Sequence, residues 1–457
     1  MTTLQRRRSR GRALLGVAVG VLALAMLSGC GSGTTPGAAP TGGASPSANQ
    51  ADALDAALQA GGELTYWTWT TTAQDQADAF TKLYPNVKIT VVNAGTATDE
   101  YTKLQNAIKA GSGAPDVAQI EYYAMQQFCL SDGLVDLTQF GFGDLQSKFT
   151  ASTWAAVAIN GGIYGLPQDS GPMIMMYNKT VLDKYKISVP TTWTEYVAAA
   201  QKLHAADPKK YITNDAGDPG YAAPMIWQAG GHPFVVDGTK VTINLQDEGT
   251  KRWADTWNQM LEPGLLSDIP TWSDDWWKAL GNGTLATLIS GAWMPGIMQG
   301  SLPNSSGQWR VAPVPSYDGT ATTSENGGSA ESVIKQSKNP ALAAAFLKWM
   351  NSSDDGVKTF LDAGGFPSTT AQLNADDFLS QAPDYYGGQK VNQVLVDASK
   401  NVGQGWTYLP FQVYANSVFP DTVGKAYTGH SDLNAGLQAW QEKLVAYGNQ
   451  QGFTVNQ

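Results

Sequence analysis

Between residues 64 and 120 the chain alternates short runs of β-branched and aromatic residues with amphipathic segments. Residues 64–69, 87–92 and 116–120 have the composition of strands, and apolar residues recur at helical spacing between them. Strands separated by helices form a parallel sheet covered by those helices, and right-handed crossovers bring their carboxyl ends to one edge. Ligands bind at that edge in open α/β sheets. We therefore predict an α/β protein with its site at these strand ends.

The same pattern continues along a chain that is long enough for several domains. Further strands are predicted at residues 173–177 and 284–289, and a helix is predicted to begin at Pro340 after an Asn N-cap. Thr71 and Gln74 have the spacing of a capping box at the start of the first helix. A length of 457 residues with 42% apolar residues supports two or three domains.

The charge balance excludes several classes of partner. The formal net charge is −10, and five of the arginines lie in the first twelve residues. An acidic chain repels phosphate backbones, so nucleic acid is not an expected partner. The same charge opposes adhesion to anionic lipid, so any attachment to a membrane requires a lipid anchor.

Motifs of common enzymes are absent from the sequence. The three histidines are isolated, and there is no zinc spacing, P-loop or nucleophile elbow, so we predict no metal, no cofactor and no catalysis. Acidic doublets at 274–275, 354–355 and 376–377 are typical of helix N-termini, where carboxylates favour the helix dipole. A glycosidase needs only two carboxylates facing across a sugar. A secreted polysaccharide-processing enzyme therefore stays open as an alternative.

The first 30 residues have the pattern of an export signal. Five arginines precede an apolar run over 13–27, which is shorter than the ~20 residues of a membrane-spanning helix. The run ends in Leu-Ser-Gly-Cys30, which resembles the lipobox of bacterial lipoproteins, in which the cysteine is lipidated and becomes the mature N-terminus. We expect a signal peptide over 1–29, a lipid anchor on Cys30 and a Gly/Ser/Pro-rich flexible tether to residue 61. An ordinary secreted protein is the alternative.

The second cysteine, Cys129, lies in an apolar helical pattern. If Cys30 carries lipid, Cys129 has no partner for an intramolecular disulfide, and the stability of the exported protein depends on its core. We therefore predict that Cys129 is a buried structural thiol rather than a nucleophile.

Short motifs along the chain carry a family resemblance through their order and spacing. The motifs are Phe80–Asn86, Gly113–Val117, Gly133–Leu137, Gly165–Pro167, Met176–Lys179, Gly327–Ala330, Ser337–Trp349 and Gly365–Pro367. Together they resemble the extracellular solute-binding proteins (family 1) of bacterial ABC importers, in the carbohydrate-binding branch that includes maltose-binding protein. The charged cluster of the maltose-binding members is replaced here by Glu121-Tyr-Tyr123, so the sugar is left open.

The resemblance implies a two-lobed periplasmic-binding-protein-like fold of type II. Each lobe would be a mainly parallel sheet flanked by helices, and several crossovers of the chain would form the hinge. Lobe 1 would comprise 62–168 and 329–365, and lobe 2 would comprise 169–328 and 366–457. The ligand would bind in the cleft between the lobes.

Candidate ligand contacts lie at predicted strand ends, at crossovers or in segments that match the family's cleft. Aromatic rings cover the C–H faces of a sugar, while carboxylates and amides bind its hydroxyls. The candidates are Trp67, Trp69, Glu121, Tyr122, Asp169, Trp227, Trp293, Glu331, Trp406 and Tyr408. The cluster of Trp272, Trp276 and Trp277 fits a cleft wall and a helix face equally well.

The combined expectation is a monomeric substrate-binding lipoprotein outside the cytoplasmic membrane. It would capture a mono- or oligosaccharide by hinge closure and deliver it to the transmembrane subunits of an ABC permease. A second alternative is a binding protein for a non-sugar solute. A peptide or amino acid usually requires an arginine, and after the signal only Arg252 and Arg310 remain, neither of them in a cleft motif. A polyamine fits the acidic, aromatic composition better.

Overall fold

The structure, a computed structural model, describes residues 46–457. The predicted signal peptide, Cys30 and the part of the predicted tether before residue 46 lie outside the described residues. Within the described part of the chain, no helix has the length and apolar character that crossing a membrane requires.

Thirteen strands are defined in the described residues. They are β1 Gly62–Trp67, β2 Val87–Val92, β3 Val117–Glu121, β4 Ala158–Ile159, β5 Gly162–Ile163, β6 Leu166–Pro167, β7 Met173–Asn178, β8 Phe234–Asp237, β9 Lys240–Ile243, β10 Thr287–Gly291, β11 Trp309–Pro313, β12 Ser329–Val333 and β13 Thr454–Asn456.

The helices lie between and around these strands. They are α1 Pro46–Ala60, α2 Ala73–Leu83, α3 Thr98–Ala110, α4 Tyr122–Leu130, α5 Ala151–Val157, α6 Lys179–Tyr185, α7 Trp193–Ala206, α8 Pro219–Gln228, α9 Glu248–Leu261, α10 Asp274–Gly281, α11 Met294–Ser301, α12 Pro340–Ser352, α13 Asp354–Asp362, α14 Thr370–Leu373, α15 Asp376–Ser380, α16 Val391–Ser399, α17 Gln412–Val418, α18 Gly424–Gly429 and α19 Leu433–Gln450. Short 3₁₀ turns occupy Leu137–Phe140, Phe142–Lys148, Pro303–Ser305 and Asp384–Tyr386.

The sheet of lobe 1 has the strand order β2-β1-β3-β12-β6. β1 runs parallel to β2 and to β3, as the alternating sequence pattern predicts. β12 is antiparallel to both of its neighbours, because the chain enters this strand from the other lobe. The carboxyl ends of β1 and β3 therefore meet the amino end of β12 at one edge of the sheet.

The central sheet of lobe 2 has the order β10-β7-β11, and both pairs are antiparallel. The expectation of a mainly parallel sheet is therefore wrong for these strands. The chain arrives from lobe 1 at the edge that faces the other lobe, so β7 runs away from that edge while β10 and β11 run towards it. Parallel bridges from Tyr211 to Leu285 and from Thr192 to Ser316 widen the sheet on both sides.

Separate apolar cores hold the two lobes. One cluster fills lobe 1 and includes Tyr66, Phe128 and Phe346. Lobe 2 has two clusters, which lie on the opposite faces of its central sheet. β7 separates them, with Met173 and Met175 on one face and Ile174 and Met176 on the other, as the two-residue period of a strand requires.

Three crossovers connect the lobes, and we call the segments 168–172, 324–329 and 366–369 the hinge. Backbone bonds tie the first two together, from Gln168 N to Ser329 O at 3.0 Å and from Asn326 N to Gly171 O at 2.7 Å. The third is paired to the first by a bridge between Asp169 and Pro367. Backbone hydrogen bonds and isolated bridges therefore hold the three hinge segments side by side.

Helix α1 differs from the expected tether. The predicted flexible segment reaches residue 61, whereas residues 46–60 form a helix that packs against α12. Leu54 is buried in the core of lobe 1. The Ala, Leu and Gln content of this segment favours a helix, and one apolar face is enough to fix it on the lobe.

The sequence signals for helix starts were confirmed at four helices and wrong at one. The three acidic doublets open α10, α13 and α15, and α12 begins at Pro340, so these predictions are confirmed. The capping box at Thr71 and Gln74 is not formed, because α2 begins two residues later with Thr72 as its N-cap. Cys129 is a partly buried free thiol in α4, and burial raises its pKa to about 12.

Candidate functional site

The loop after β1 is fastened to β3 by the amide of Gln119. Its Oε1 accepts from Thr68 Oγ1 at 2.6 Å, from Thr70 Oγ1 at 2.9 Å and from the Trp69 N–H at 3.2 Å. The other end of the amide donates to Ser329 Oγ at 2.9 Å. One side chain therefore holds the loop that carries Trp69 against both β3 and the hinge.

A chain of aromatic contacts crosses from lobe 1 to lobe 2, and we call it the aromatic bridge. Its members are Trp69, Tyr101, Tyr123, Tyr408, Trp406 and Trp227. Successive ring centroids are 6.1, 6.0, 6.4, 5.7 and 5.3 Å apart. Tyr408 packs against the core of lobe 1 and Trp406 against that of lobe 2. The bridge therefore brings together four sequence-predicted candidates that are distant in the chain.

The lobe 2 end of the aromatic bridge is a stacked indole pair. Trp227 and Trp406 lie with an interplanar angle of 6°. Trp227 is fixed from its Nε1, which donates to the carbonyl of Gly403 at 2.8 Å. Trp406 remains partly open. This pair is a rigid apolar surface of the kind that covers one face of a sugar ring.

Three carboxylates lie close to the aromatic bridge. The pKa of Glu121 is raised to about 7, mainly by burial. A hydrogen bond from Tyr123 lowers this pKa, whereas the charges of Asp169 and Asp218 raise it. Asp218 belongs to lobe 2, where it caps α8 by accepting from the Gly220 N–H at 2.8 Å. Carboxyl groups of both lobes therefore lie close enough to act on one another electrostatically.

Asp169 and Tyr122 lie at the hinge. Asp169 Oδ1 accepts from the Ser329 N–H at 2.7 Å and from Ser329 Oγ at 3.0 Å, and its carbonyl accepts from Tyr122 Oη at 2.7 Å. Burial raises the pKa of Asp169 to about 6, although the Ser329 bonds oppose it. Both side chains therefore make hydrogen bonds that hold the hinge together.

Trp293 joins lobe 2 to the hinge. It precedes α11, and its Nε1 donates to the carbonyl of Asn326 in the hinge at 2.8 Å. Its ring stacks on that of Trp272, with centroids 6.0 Å apart and planes 20° apart. The structure thus joins Trp293 to one member of the tryptophan cluster that the sequence left open.

Glu331 and Trp67 have different surroundings from the other candidates. Glu331 is fully buried, accepts from Tyr66 Oη at 2.8 Å and from the Asn351 amide, and has a pKa that burial raises to about 8. Trp67 is partly buried against the core of lobe 1. These contacts favour a structural role for Glu331 and leave Trp67 beside the loop that carries Trp69.

Sequence reasoning missed Tyr101, Asp218 and Gln119 as parts of the site. Tyr101 has the helical spacing of a core residue, and it is buried, but its Oη also accepts from the Glu121 N–H at 2.7 Å. Asp218 precedes a proline, which signals only a helix start. Their positions depend on long-range packing, for which the local pattern carried no signal. The described residues contain no cluster of three metal-ligating side chains.

The chain is similar in sequence and in fold to known binding proteins. The sequence profile described as bacterial extracellular solute-binding protein matches residues 66–357. An ABC-transporter-associated binding protein from B. animalis subsp. lactis Bl-04, solved in complex with β-1,6-galactobiose, shares 42% identity with a TM-score of 0.82, over 86% of this chain and 99% of its own.

Two further relatives are less similar in sequence. The galacto-N-biose-/lacto-N-biose I-binding protein of Bifidobacterium longum, solved with lacto-N-biose, shares 28% identity with a TM-score of 0.75, over 87% of this chain and 99% of its own. An arabinooligosaccharide-binding protein of Bacillus subtilis (strain 168) is 26% identical over 74% of this chain and 82% of its own length.

The two-lobed α/β fold of type II that the motifs implied is confirmed by these structures. The matched profile covers more than half of the chain, including all of β7, β10 and β11 and every strand of the lobe 1 sheet except most of β1. The protein therefore belongs to the bacterial extracellular solute-binding proteins.

Proposed function

We propose that the protein is the carbohydrate-binding subunit of an ABC importer, and that it binds a disaccharide or short oligosaccharide between its lobes. The observation that carries the proposal is the aromatic bridge with carboxylates of both lobes beside it. Sugars present C–H faces to aromatic rings and hydroxyls to acidic acceptors, and this arrangement offers both. The named relatives support the size of the ligand, since β-1,6-galactobiose and lacto-N-biose are disaccharides.

The ligand contacts we propose are Trp69, Glu121, Trp227, Trp293, Trp406 and Tyr408, with Asp218 added from the structure. Asp169 and Tyr122 would couple the ligand to the hinge. A sugar that touches both lobes stabilises the closed arrangement by its differential affinity for the two states. No catalytic step is required, and the closed form would dock on the permease.

The lipid anchor belongs to the same proposal. A monomer tethered through Cys30 to the outer face of the cytoplasmic membrane would stay close to the permease. Replacing Cys30 with Ala should release the protein or block its maturation while leaving its affinity for sugar unchanged. Fractionation of cells into membrane and medium tests this, and an unchanged membrane fraction for the Cys30→Ala variant would count against the anchor.

Binding can be measured directly by titration calorimetry and thermal melting. The panel should contain β-1,6-galactobiose, lacto-N-biose, arabinooligosaccharides and maltose, with spermidine as the non-sugar cation. We expect at least one sugar to raise the melting temperature and to change tryptophan fluorescence. Response to spermidine alone, or release of new reducing ends during incubation, would overturn the proposal in favour of a polyamine-binding protein or an enzyme.

The aromatic bridge supplies a matched pair of variants. Trp406→Ala should weaken sugar binding by about tenfold or more, because a stacked face is lost. Trp349→Ala removes an indole that packs on Phe80 in lobe 1, with ring centroids 5.4 Å apart. That control should lower the melting temperature and leave the affinity unchanged. Equal sugar affinities of the two variants would show that the aromatic bridge is not part of the binding site.

A further inference from the structure

Trp272 is an exposed indole held in a strained backbone. Its relative exposure is 51%. Among the described residues, the other exposed large apolar side chains are all aliphatic. Its φ is +70°, in the left-handed region that is a genuine outlier for a bulky side chain. Both properties are unfavourable for folding, so neither is explained by the stability of lobe 2.

The strain comes from a tight turn before α10. The Ser273 N–H and Ser273 Oγ both point to the carbonyl of Pro270, at 3.4 and 2.7 Å. Trp272 therefore occupies the third position of a four-residue turn, where a positive φ favours glycine. Ser273 then caps α10 by accepting from the Trp276 N–H at 3.2 Å. A glycine would fit this turn with less strain, so the turn does not account for a tryptophan at this position.

The indole of Trp272 extends the surface of Trp293. The two rings are nearly parallel at a centroid distance of 6.0 Å, so they overlap only partly and form a stepped face. Trp276 and Trp277 support Trp272 from the side, at 5.4 and 6.0 Å. Trp293 donates a hydrogen bond to Asn326 in the hinge, so this second aromatic surface begins where the two lobes are joined.

We propose that Trp272 is a ligand-contacting residue that receives a second sugar unit next to the unit at Trp293. The inference rests on the proposed function and deepens it, because it requires a ligand of at least two linked sugar rings. An indole that is half exposed and stacks on a second indole at the hinge suits the apolar face of a pyranose. Backbone strain is often found at binding sites, and Trp272 combines a strained backbone with an exposed side chain.

The first test compares β-1,6-galactobiose with galactose by calorimetry on the full-length protein. Trp272→Ala and Trp272→Gly should weaken galactobiose about tenfold, and Trp272→Phe should restore most of the affinity. Affinity for galactose should not change. A loss that is equal for the two sugars, or no loss for either, would overturn the inference.

The second readout is stability, which separates a ligand contact from a structural ring. Trp272→Gly relieves the positive φ, so its melting temperature without sugar should equal or exceed that of the wild type. A clear fall in melting temperature would show that the indole is there to stabilise lobe 2. Trp276→Gly is the contrasting variant, since Trp276 is fully buried and its loss should destabilise the protein.

A third readout observes the ring itself. In protein labelled with 5-fluorotryptophan, the ¹⁹F signal that disappears in Trp272→Phe belongs to Trp272. It should move when galactobiose is added, while the signal assigned through Trp349→Phe stays in place. If the Trp272 signal stays in place in protein that binds galactobiose, this inference is wrong and the proposed function is unaffected. Wild-type protein that binds no sugar of the panel contradicts the proposed function as well.

Discussion

At the scale of single residues, the buried carboxyl group of Glu100 destabilises the folded protein. It is fully buried in the first turn of α3, and neither carboxylate oxygen has a hydrogen-bond partner. Lys103, one helical turn away, donates to the carbonyl of Ala94 instead. Burial raises the pKa of Glu100 from 4.5 to about 8, and the charge of Lys103 lowers it only in part. The side chain is therefore protonated at neutral pH.

This shift predicts the pH dependence of one variant. The folded protein holds the Glu100 proton more tightly than the unfolded chain, so its unfolding free energy falls as pH rises from about 4.5 towards 8. Glu100→Gln removes that loss, and at pH 8.5 it should raise the unfolding free energy by about 1 kcal/mol or more, with a much smaller effect at pH 4.5. Guanidinium denaturation at both pH values measures the difference.

The control for this variant is an exposed glutamate on the other lobe. Glu262 lies at the end of α9 and is exposed, so Glu262→Gln should change stability by little and equally at both pH values. A Glu100→Gln effect that is the same at pH 4.5 and pH 8.5 would show that the carboxyl does not titrate in this range.

At the scale of elements, the hinge depends on close contact between two crossovers. A Cβ on Gly171 would lie 2.2 Å from the carbonyl oxygen of Asn326, whose N–H donates to Gly171 O. Gly171→Ala should therefore destabilise the protein by about 2 kcal/mol and weaken sugar binding, because the hinge segments must move apart. Thermal melting and calorimetry measure the two effects.

Gly300 provides the matched alanine substitution. It lies in α11, and a Cβ there would meet nothing within 4 Å. Gly300→Ala should stabilise the protein by roughly 0.5–1 kcal/mol through helix propensity and leave binding unchanged. If both variants behave alike, the close approach at Gly171 is not what holds the hinge.

The same scale shows what the sequence could and could not predict. The strands and helices of lobe 1 follow from local periodicity, and β2 and β7 lie within one residue of their predicted positions. The direction of β7 depends on where a crossover delivers the chain, which no local pattern records. In the candidate site, Trp69 was predicted from its place at a strand end, and Trp406 and Tyr408 from a family motif. Tyr101 and Asp218 required the packing of distant segments.

At the scale of the whole molecule, the two lobes carry different ends of the described chain. Helix α1 packs on lobe 1, and β13 pairs with β9 in lobe 2. Closure around a sugar should therefore change the distance between α1 and β13. Spin labels on Ala56→Cys and Asn456→Cys, in a Cys30→Ala, Cys129→Ser background, would report it by pulsed electron resonance. A distance that galactobiose leaves unchanged, in protein that binds it, would exclude hinge closure.

The placement of α1 and β13 also has a practical consequence. A donor fluorophore attached to one element and an acceptor attached to the other would convert each binding event into a change of colour. The two attachment points lie on different lobes and outside the aromatic bridge. The protein therefore has the topology of a genetically encodable sugar sensor. Its detection range would then be tuned through Trp272 and Trp406, without any change to the labelled ends.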